Sequence, residues 1–281
     1  MSKHESQLSN DGHDTESTYD AELLRYGDRV MLIDSRNRRY LVTLARDAAF
    51  HSHSGLVPHE DMVGRPEGSE FRTASNAKYI VLRPTLTDYV LKMPRGAQVI
   101  YPKDLGPILL LADIHPGVRV LESGLGSGAL STTLLRYGAI VTGYEIREDF
   151  AERAQENVKT FLGDEPLERY HVHIRDIYEG IPESGLDRVI LDLPEPWQVV
   201  PHLPGALRRG GIFVAYNPSI IQVQQLRSVL ADGPFTMIET VEILQRSWHV
   251  EGNAVRPDHR MVGHTGFLTS ARLLGGPAED E

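Results

Sequence analysis

The chain has 281 residues, enough for one or two domains with a sizeable core. It carries 39 acidic against 29 basic residues, a formal charge of -10, which argues against indiscriminate coating of nucleic acid while leaving a local basic cleft open. Cysteine is absent, which excludes disulfides, thiolate metal ligands and a cysteine nucleophile.

No apolar run approaches the roughly 20 residues that a membrane-spanning helix needs. Residues 1–20 are polar and of mixed charge, unlike a secretory signal, and are expected to be disordered, as is the acidic tail 275–281. Residues 21–84 read as a small antiparallel β domain. Arg29 to Asp34 and Arg39 to Leu44 flank a turn at Ser35 to Arg38, the pattern of a β-hairpin. Phe50 to His59 and Asn76 to Leu82 add strands around turns at Gly55 and Gly68. The spacing of His51, His53 and His59 could suggest a metal, but no carboxylate motif or cysteine supports it, and a wet loop is the plainer reading.

Thr85 to Met93 reads as a short helix. Gln98 to Lys103 is extended, because a residue before proline avoids helical angles, and Asp104 is placed to cap a helix from Leu105 to Ala112. Strands and helices then alternate as in a parallel α/β sheet. Strands are expected at Arg119 to Glu122, Ile140 to Glu145, His171 to Ile174, Leu186 to Leu191 and Ile212 to Tyr216. Helices are expected at Gly128 to Tyr137, Glu148 to Leu162, Leu203 to Arg208 and Ile220 to Leu230. Thr236 to Leu244 and Gly266 to Leu274 complete seven strands as an antiparallel final pair.

The chemistry gathers at strand ends. Glu122-Ser123-Gly124-Leu125-Gly126-Ser127-Gly128 follows the first parallel strand and opens a helix, so its glycines permit a tight turn and close approach of backbone N–H groups to a nucleotide-like cofactor. The glycine pattern by itself does not choose between a dinucleotide and S-adenosylmethionine. Glu145, ending the next strand, can accept from two ribose hydroxyls. Asp176 can accept from an adenine amino group or simply cap a turn. Gln98 and Tyr101 could close over the cofactor.

Asp192-Leu193-Pro194-Glu195-Pro196-Trp197 tips the choice towards methyl transfer. Its prolines restrict a loop that aims one carboxylate and carbonyls at a planar, amino-bearing base, with Trp197 packed behind. Tyr216 either lines the base pocket or belongs to the core. Methylation at adenine N1 needs neither a metal nor a covalent enzyme intermediate, and a paired base must first be extruded. N1 has no proton to lose, so His249, His259 and His264 are assigned to substrate contacts or loop structure. Arg246, Arg256 and Arg260 are the best candidate phosphate-binding group, with Arg208 and Arg209 adding to it; scattered solvated arginines are the bland alternative.

At these residues the chain resembles the tRNA (adenine-N1)-methyltransferases that modify adenine 58 of the T-loop. The likeness runs over nearly everything from Gly27 to Leu274. It includes Met93 to Gln98, Ile100 to Asp104, the glycine segment, Asp192 to Trp197, Tyr216 with Pro218 and Gln222, Arg256-Pro257 and Met261 to Phe267. The resemblance implies a Rossmann-like seven-stranded S-adenosylmethionine-dependent methyltransferase domain over residues 85–274 with a leading helical segment. A small N-terminal β domain would help hold tRNA. The implied cofactor residues are Gln98, Tyr101, Glu122, Gly124, Leu125, Gly126, Ser127, Gly128, Glu145, Asp176 and Asp192. Asp192 and Tyr216 are the implied catalytic pair; Pro194, Tyr216, Arg246, Arg256 and His264 would meet the substrate, with no metal. The family also implies a homotetramer and a cytoplasmic enzyme, and some archaeal relatives accept adenine 57. Ser123 and Leu125 depart from the smaller residues usual in that loop, and Leu125 is expected to alter cofactor affinity. A noncatalytic RNA-binding or assembly protein, a methyltransferase for a small molecule or protein, and a nicotinamide oxidoreductase are the competing readings.

Overall fold

A computed structural model describes residues 23–96 and 98–275. The expectations for residues 1–20 and for the tail beyond Gly275 lie outside the described residues. The chain divides into two units, Met1–Pro84 and Thr85–Glu281.

In the first unit, β1 (Arg29–Asp34) pairs antiparallel with β2 (Arg39–Thr43). The side chain of Asp34 closes their turn by accepting from the N–H groups of Arg36 and Arg38, both at 2.9 Å. β3 (Ala49–Ser52) and β4 (Gly55–Pro58) form a separate hairpin. β5 (Glu70–Arg72) and β6 (Lys78–Leu82) complete a four-stranded sheet in the order β2-β1-β6-β5. Val30, Leu32, Phe50, Tyr79 and Val81 bury its core. His59 is buried and accepts from Ala45 N–H through Nδ1, while His53 meets Arg38 Nη2 at 3.1 Å. Among the described residues no cluster of histidines and acids is arranged to hold a metal.

The second unit begins with α1 (Leu86–Lys92), started by a reciprocal Thr85–Asp88 capping box. The next helix, α2 (Pro102–Leu111), starts earlier than its sequence suggests. Proline suits the first helical position, where its missing N–H would have no partner anyway, so Tyr101 takes the cap position. Asp104 therefore lies inside the first turn, fully buried, and caps nothing.

Seven strands follow: β7 (Arg119–Ser123), β8 (Ile140–Glu145), β9 (Tyr170–Ile174), β10 (Leu186–Leu191), β11 (Leu207–Asn217), β12 (Phe235–Glu242) and, last in the chain, β15 (Phe267–Leu273). They form one sheet in the order β12-β15-β11-β10-β7-β8-β9, with β15 antiparallel to both neighbours. The intervening helices are α3 (Ala129–Arg136), α4 (Glu148–Leu162), α5 (Leu203–Ala206) and α6 (Ile220–Asp232). The β7-β8-β9 and β10-β11 runs head in opposite directions from the β7/β10 pair, so a crevice opens at the carboxyl ends of those two strands. No helix among the described residues is long and apolar enough to cross a membrane.

A further hairpin, β13 (Trp248–Glu251) and β14 (Ala254–Pro257), stands between β12 and β15 and has no counterpart among the elements expected from sequence. Its turn is Gly252-Asn253, with Gly252 at φ +52. A glycine–asparagine pair between two short segments, each with one valine, is the signal that locates it.

Gly128 has a structural task of its own. It sits at φ +78 at the cap of α3, and a β-carbon there would meet the Ala154 Cα of α4 at 2.9 Å. The glycine thus lets the two helices touch. Gly128→Ala should lower the unfolding free energy by about 1–3 kcal/mol, from left-handed strain plus crowding, as read from urea midpoints.

Candidate active site

The crevice holds a cavity of about 400 Å³. Its walls include Gln98, Gly124, Gly126, Glu145, Asp176, Asp192 and Pro194, so residues spread over almost a hundred positions of sequence meet there. Ser123, Tyr144, Ile146, Arg147, Phe150, Ile177, Tyr178 and Leu193 complete the lining. Sequence reasoning does not single these out as cofactor residues. Phe150 carries a usable signal, being an apolar residue in the first turn of the helix after the Glu145 strand; Arg147 stacks on its ring at 3.9 Å.

The glycine loop is held by its neighbours. Gly124 lies at φ +88, and a β-carbon on it would stand 2.2 Å from the Asp192 carbonyl oxygen. Asp192 N–H donates to Ser123 at 3.0 Å, and Gly124 N–H donates to Tyr144 at 3.1 Å. Glu145 Oε1 accepts from the N–H groups of Ile146 and Arg147 at 3.0 and 3.1 Å, and its Oε2 accepts from Gly126 N–H at 3.2 Å. The carboxylate so ties the loop to β8 and retains acceptor capacity on Oε2 for a hydroxyl in the cavity.

Asp176 does serve as a turn cap, accepting from Tyr178 N–H at 2.9 Å, and it lines the cavity as well. Asn217 Nδ2 donates to the Leu193 carbonyl at 3.2 Å and Gln222 Nε2 to the Pro194 carbonyl at 2.8 Å, so the Asp192–Trp197 loop is braced from behind. Trp197 packs against the hydrophobic core beside the sheet, as expected.

Several other expected residues sit off the cavity. Leu125 is buried, and its methyl groups crowd Gly143 of β8; its bulk is spent in the core, so its side chain has no direct path to cofactor affinity. Ser127 is buried, its hydroxyl has no hydrogen-bond partner among the described residues, and its carbonyl accepts from Asn157 Nδ2 at 2.9 Å. Gly128 packs helices, as above. Tyr101 lines a separate hollow with Thr87, Lys103, Gln245 and Arg260. Tyr216 is buried at the end of β11 beneath Gly266, whose β-carbon, if present, would lie 2.5 Å from the ring. Burial pushes its phenol up to about 12.

His264 bridges two segments. Its Nδ1 lies 2.6 Å from Glu242 Oε1 and its Nε2 lies 2.7 Å from the Pro218 carbonyl. The contact with the Glu242 carboxylate, followed by that with the Pro218 carbonyl, raises its pKa. Arg246 and Arg260 are exposed between β12 and β15, and Arg256 lies on β14, opposite His249. Arg208 and Arg209 lie at the opposite end of β11 from Tyr216, roughly 25 Å away at strand rise, and Arg208 is paired with Asp187. They do not join the other three arginines at this end of the sheet.

The lining suits S-adenosylmethionine. Two glycines make room for a backbone-hugging ligand, Phe150, Ile177 and Leu193 offer apolar contact, and Glu145, Asp176 and Asp192 present carboxylates. Three acids would repel a pyrophosphate but suit a sulfonium with a ribose. Beneath the loop, Glu122 is 1% exposed, and among the described residues neither carboxyl oxygen meets a hydrogen-bond partner at normal geometry. Burial, reinforced by the Asp192 and Glu145 charges and tempered by nearby Ser131, pushes it up to about 8. Burial alone pushes Asp192 up to about 7. Both acids therefore hold protons in the native state that the unfolded chain releases above its ordinary carboxyl range. Stability should fall as pH rises from about 4 to about 8, by up to about 1.4 kcal/mol per pH unit for each group. Urea denaturation at pH 5 to 8 checks this, and Glu122→Gln should make the decline shallower; an unchanged slope would show that Glu122 is not protonated.

Comparisons with known proteins agree with this geometry. The family described as "tRNA methyltransferase complex GCD14 subunit" matches residues 78–256, and that described as "TrmI-like N-terminal" matches residues 23–70. A tRNA (adenine(58)-N(1))-methyltransferase TrmI of Thermus thermophilus is 37% identical over 247 residues, covering 86% of this chain and 96% of its own. The tRNA (adenine(57)-N(1)/adenine(58)-N(1))-methyltransferase TrmI of Methanocaldococcus jannaschii is 33% identical, with 89% and 97% covered. Among solved structures, a SAM-dependent O-methyltransferase from Thermotoga maritima aligns with a TM-score of 0.86 at 34% identity, covering 91% of this chain and 96% of its own. The tRNA (m1A58) methyltransferase TrmI from Aquifex aeolicus aligns at 0.79 and 28%, with 89% and 98% covered. A Rossmann-like sheet with its cavity at the β7/β10 switch point, together with these matches along nearly the whole chain, places the protein in the TrmI family of S-adenosylmethionine-dependent tRNA methyltransferases.

Proposed function

We propose that the protein transfers the methyl group of S-adenosylmethionine to N1 of adenine 58 in the T-loop of tRNA. The observation that carries this reading is Asp192, a carboxyl at the wall of the cofactor cavity on a loop braced by Asn217 and Gln222. When bound, S-adenosylmethionine supplies an electrophilic methyl carbon on a sulfonium. Gly124 and Gly126 would leave the space for it, Glu145 would accept from its ribose hydroxyls, and Asp176 would accept from its adenine amino group. Asp192 accepts from the exocyclic amino group of the target base. As N1 is alkylated the base gains positive charge, so a carboxylate there favours the transition state over the neutral ground state. Tyr216 backs the base, and Pro194 shapes the loop edge.

The wider assignments belong to the same reading. The N-terminal β unit helps hold tRNA, Arg246, Arg256 and Arg260 meet phosphates, and the enzyme works as a homotetramer in the cytoplasm. Sedimentation of the purified protein tests the tetramer. Adenine 57 is a second position to examine, since the Methanocaldococcus jannaschii relative is named for both.

Incubation with labelled S-adenosylmethionine and unmodified tRNA, followed by nucleoside mass spectrometry, tests the activity. N1-methyladenosine is expected, whereas a ribose-O-methylated product or no product would reject the assignment. Asp192→Ala should lower kcat by about 100-fold or more while cofactor binding persists. Because the working form of Asp192 is ionised and its carboxyl titrates at about 7, kcat/KM should rise with pH through that region. Asp192→Asn should lose that inflection.

A further inference from the structure

We propose that the buried Lys103–Asp104 pair is a positioning element, stapling both ends of segment 243–266 to α2 and so fixing Arg246, Arg260 and Tyr216 relative to Asp192. Lys103 and Asp104 side chains are 6% and 0% exposed and meet at 2.8 Å. Lys103 Nζ also donates to the Ile243 carbonyl at 2.7 Å, the first residue after β12. Asp104 Oδ2 accepts from Thr265 Oγ1 at 2.7 Å, two residues before β15. One ion pair therefore grips the entry and the exit of the excursion that carries Arg246, Arg256 and Arg260.

The same pair reaches both tyrosines of the expected site. Asp104 N–H donates to the Tyr101 carbonyl at 2.8 Å within the first turn of α2. On the other side, Thr265 leads directly into Gly266, which lies so close over Tyr216 that a β-carbon would touch its ring and hydroxyl at 2.5 to 2.8 Å. Tyr101, Lys103, Gln245 and Arg260 share one hollow, so the α2 start and the excursion form a common wall. Neither Lys103 nor Asp104 lines the cofactor cavity. A fault in the staple should therefore reach the tRNA side of the reaction and spare cofactor binding.

The charge state matters to this arrangement. Asp104 accepts two donors, one on each oxygen; an asparagine could keep Lys103 on its Oδ1 and donate to the Thr265 hydroxyl, so Asp104→Asn chiefly removes the charge that balances Lys103. Burial adds weight, because a charge without its partner is costly to keep out of water.

The inference rests on the tRNA methyl-transfer reading, and the test separates the two. Asp104→Asn, Thr265→Val and Thr265→Ser would be compared with the wild-type full chain. Calorimetry gives S-adenosylmethionine affinity, steady-state kinetics with unmodified tRNA give kcat and KM, and amide hydrogen exchange reports on residues 243–266. For Asp104→Asn and Thr265→Val we expect KM for tRNA to rise and kcat to fall, together by about 10- to 100-fold, as small misplacements do. Cofactor affinity should stay unchanged, exchange over 243–266 should accelerate, and Thr265→Ser should restore both readouts. Unchanged kcat, KM and exchange in Thr265→Val would overturn the proposal. So would a loss of cofactor affinity in step with activity, the mark of general unfolding. If Asp104→Asn does not fold, Thr265→Val, which loses one hydroxyl, carries the test. A wild-type protein that leaves tRNA unmethylated overturns the function, and hydrogen exchange then decides the staple independently.

Discussion

Where β7 and β10 end, the two backbones run so close that no side chain fits between them. Gly124 stands where a β-carbon would be 2.2 Å from the Asp192 carbonyl oxygen, and Asp192 N–H is bonded to Ser123. That contact sets the distance between the glycine loop and the Asp192 carboxyl, both of which line the same cavity. Glu145 adds a second tie by gripping Gly126 N–H from β8. Methyl transfer requires donor and acceptor to be held in line, and here the holding is done by backbone rather than by flexible side chains.

The electrostatics of the site follow from the same geometry. Glu122, Glu145 and Asp192 lie near one another, and the fold meets their mutual repulsion by burying Glu122 as a neutral acid. Glu145 accepts from three backbone N–H groups. Asp192 has no such partners among the described residues, and burial raises its carboxyl to about 7. A buried carboxyl without a donor bears a stability cost.

The overall charge of -10 sits oddly with an RNA substrate until placement is considered. Arg246 and Arg260 are exposed and Arg256 is half-buried, all on the excursion between β12 and β15, at the same end of the sheet as Tyr216. Arg208 is consumed by Asp187 at the far end of β11. A polyanion met at one edge responds to the local field, which a charge sum over the whole chain does not describe.

Periodicity and punctuation in the sequence determined most of the sheet: the β8, α4 and β10 spans follow from apolar runs between glycine, proline and polar breaks. They also located Gly124, Gly126, Glu145, Asp176 and Asp192, because strand ends of an open parallel sheet are where ligands go. Local signals misled at α2, where a proline that ends one extended run also begins a helix, and at the β13–β14 hairpin, whose exposed residues lack a buried face to betray it. Only the tertiary structure decided that the Leu125 side chain packs on Gly143 and Gly128 on Ala154, that His264 is a clamp between Glu242 and Pro218, and that Lys103 and Asp104 hold Ile243 and Thr265. These roles depend on partners far away in the chain, and a one-dimensional pattern records a residue's type and period but not what stands across from it.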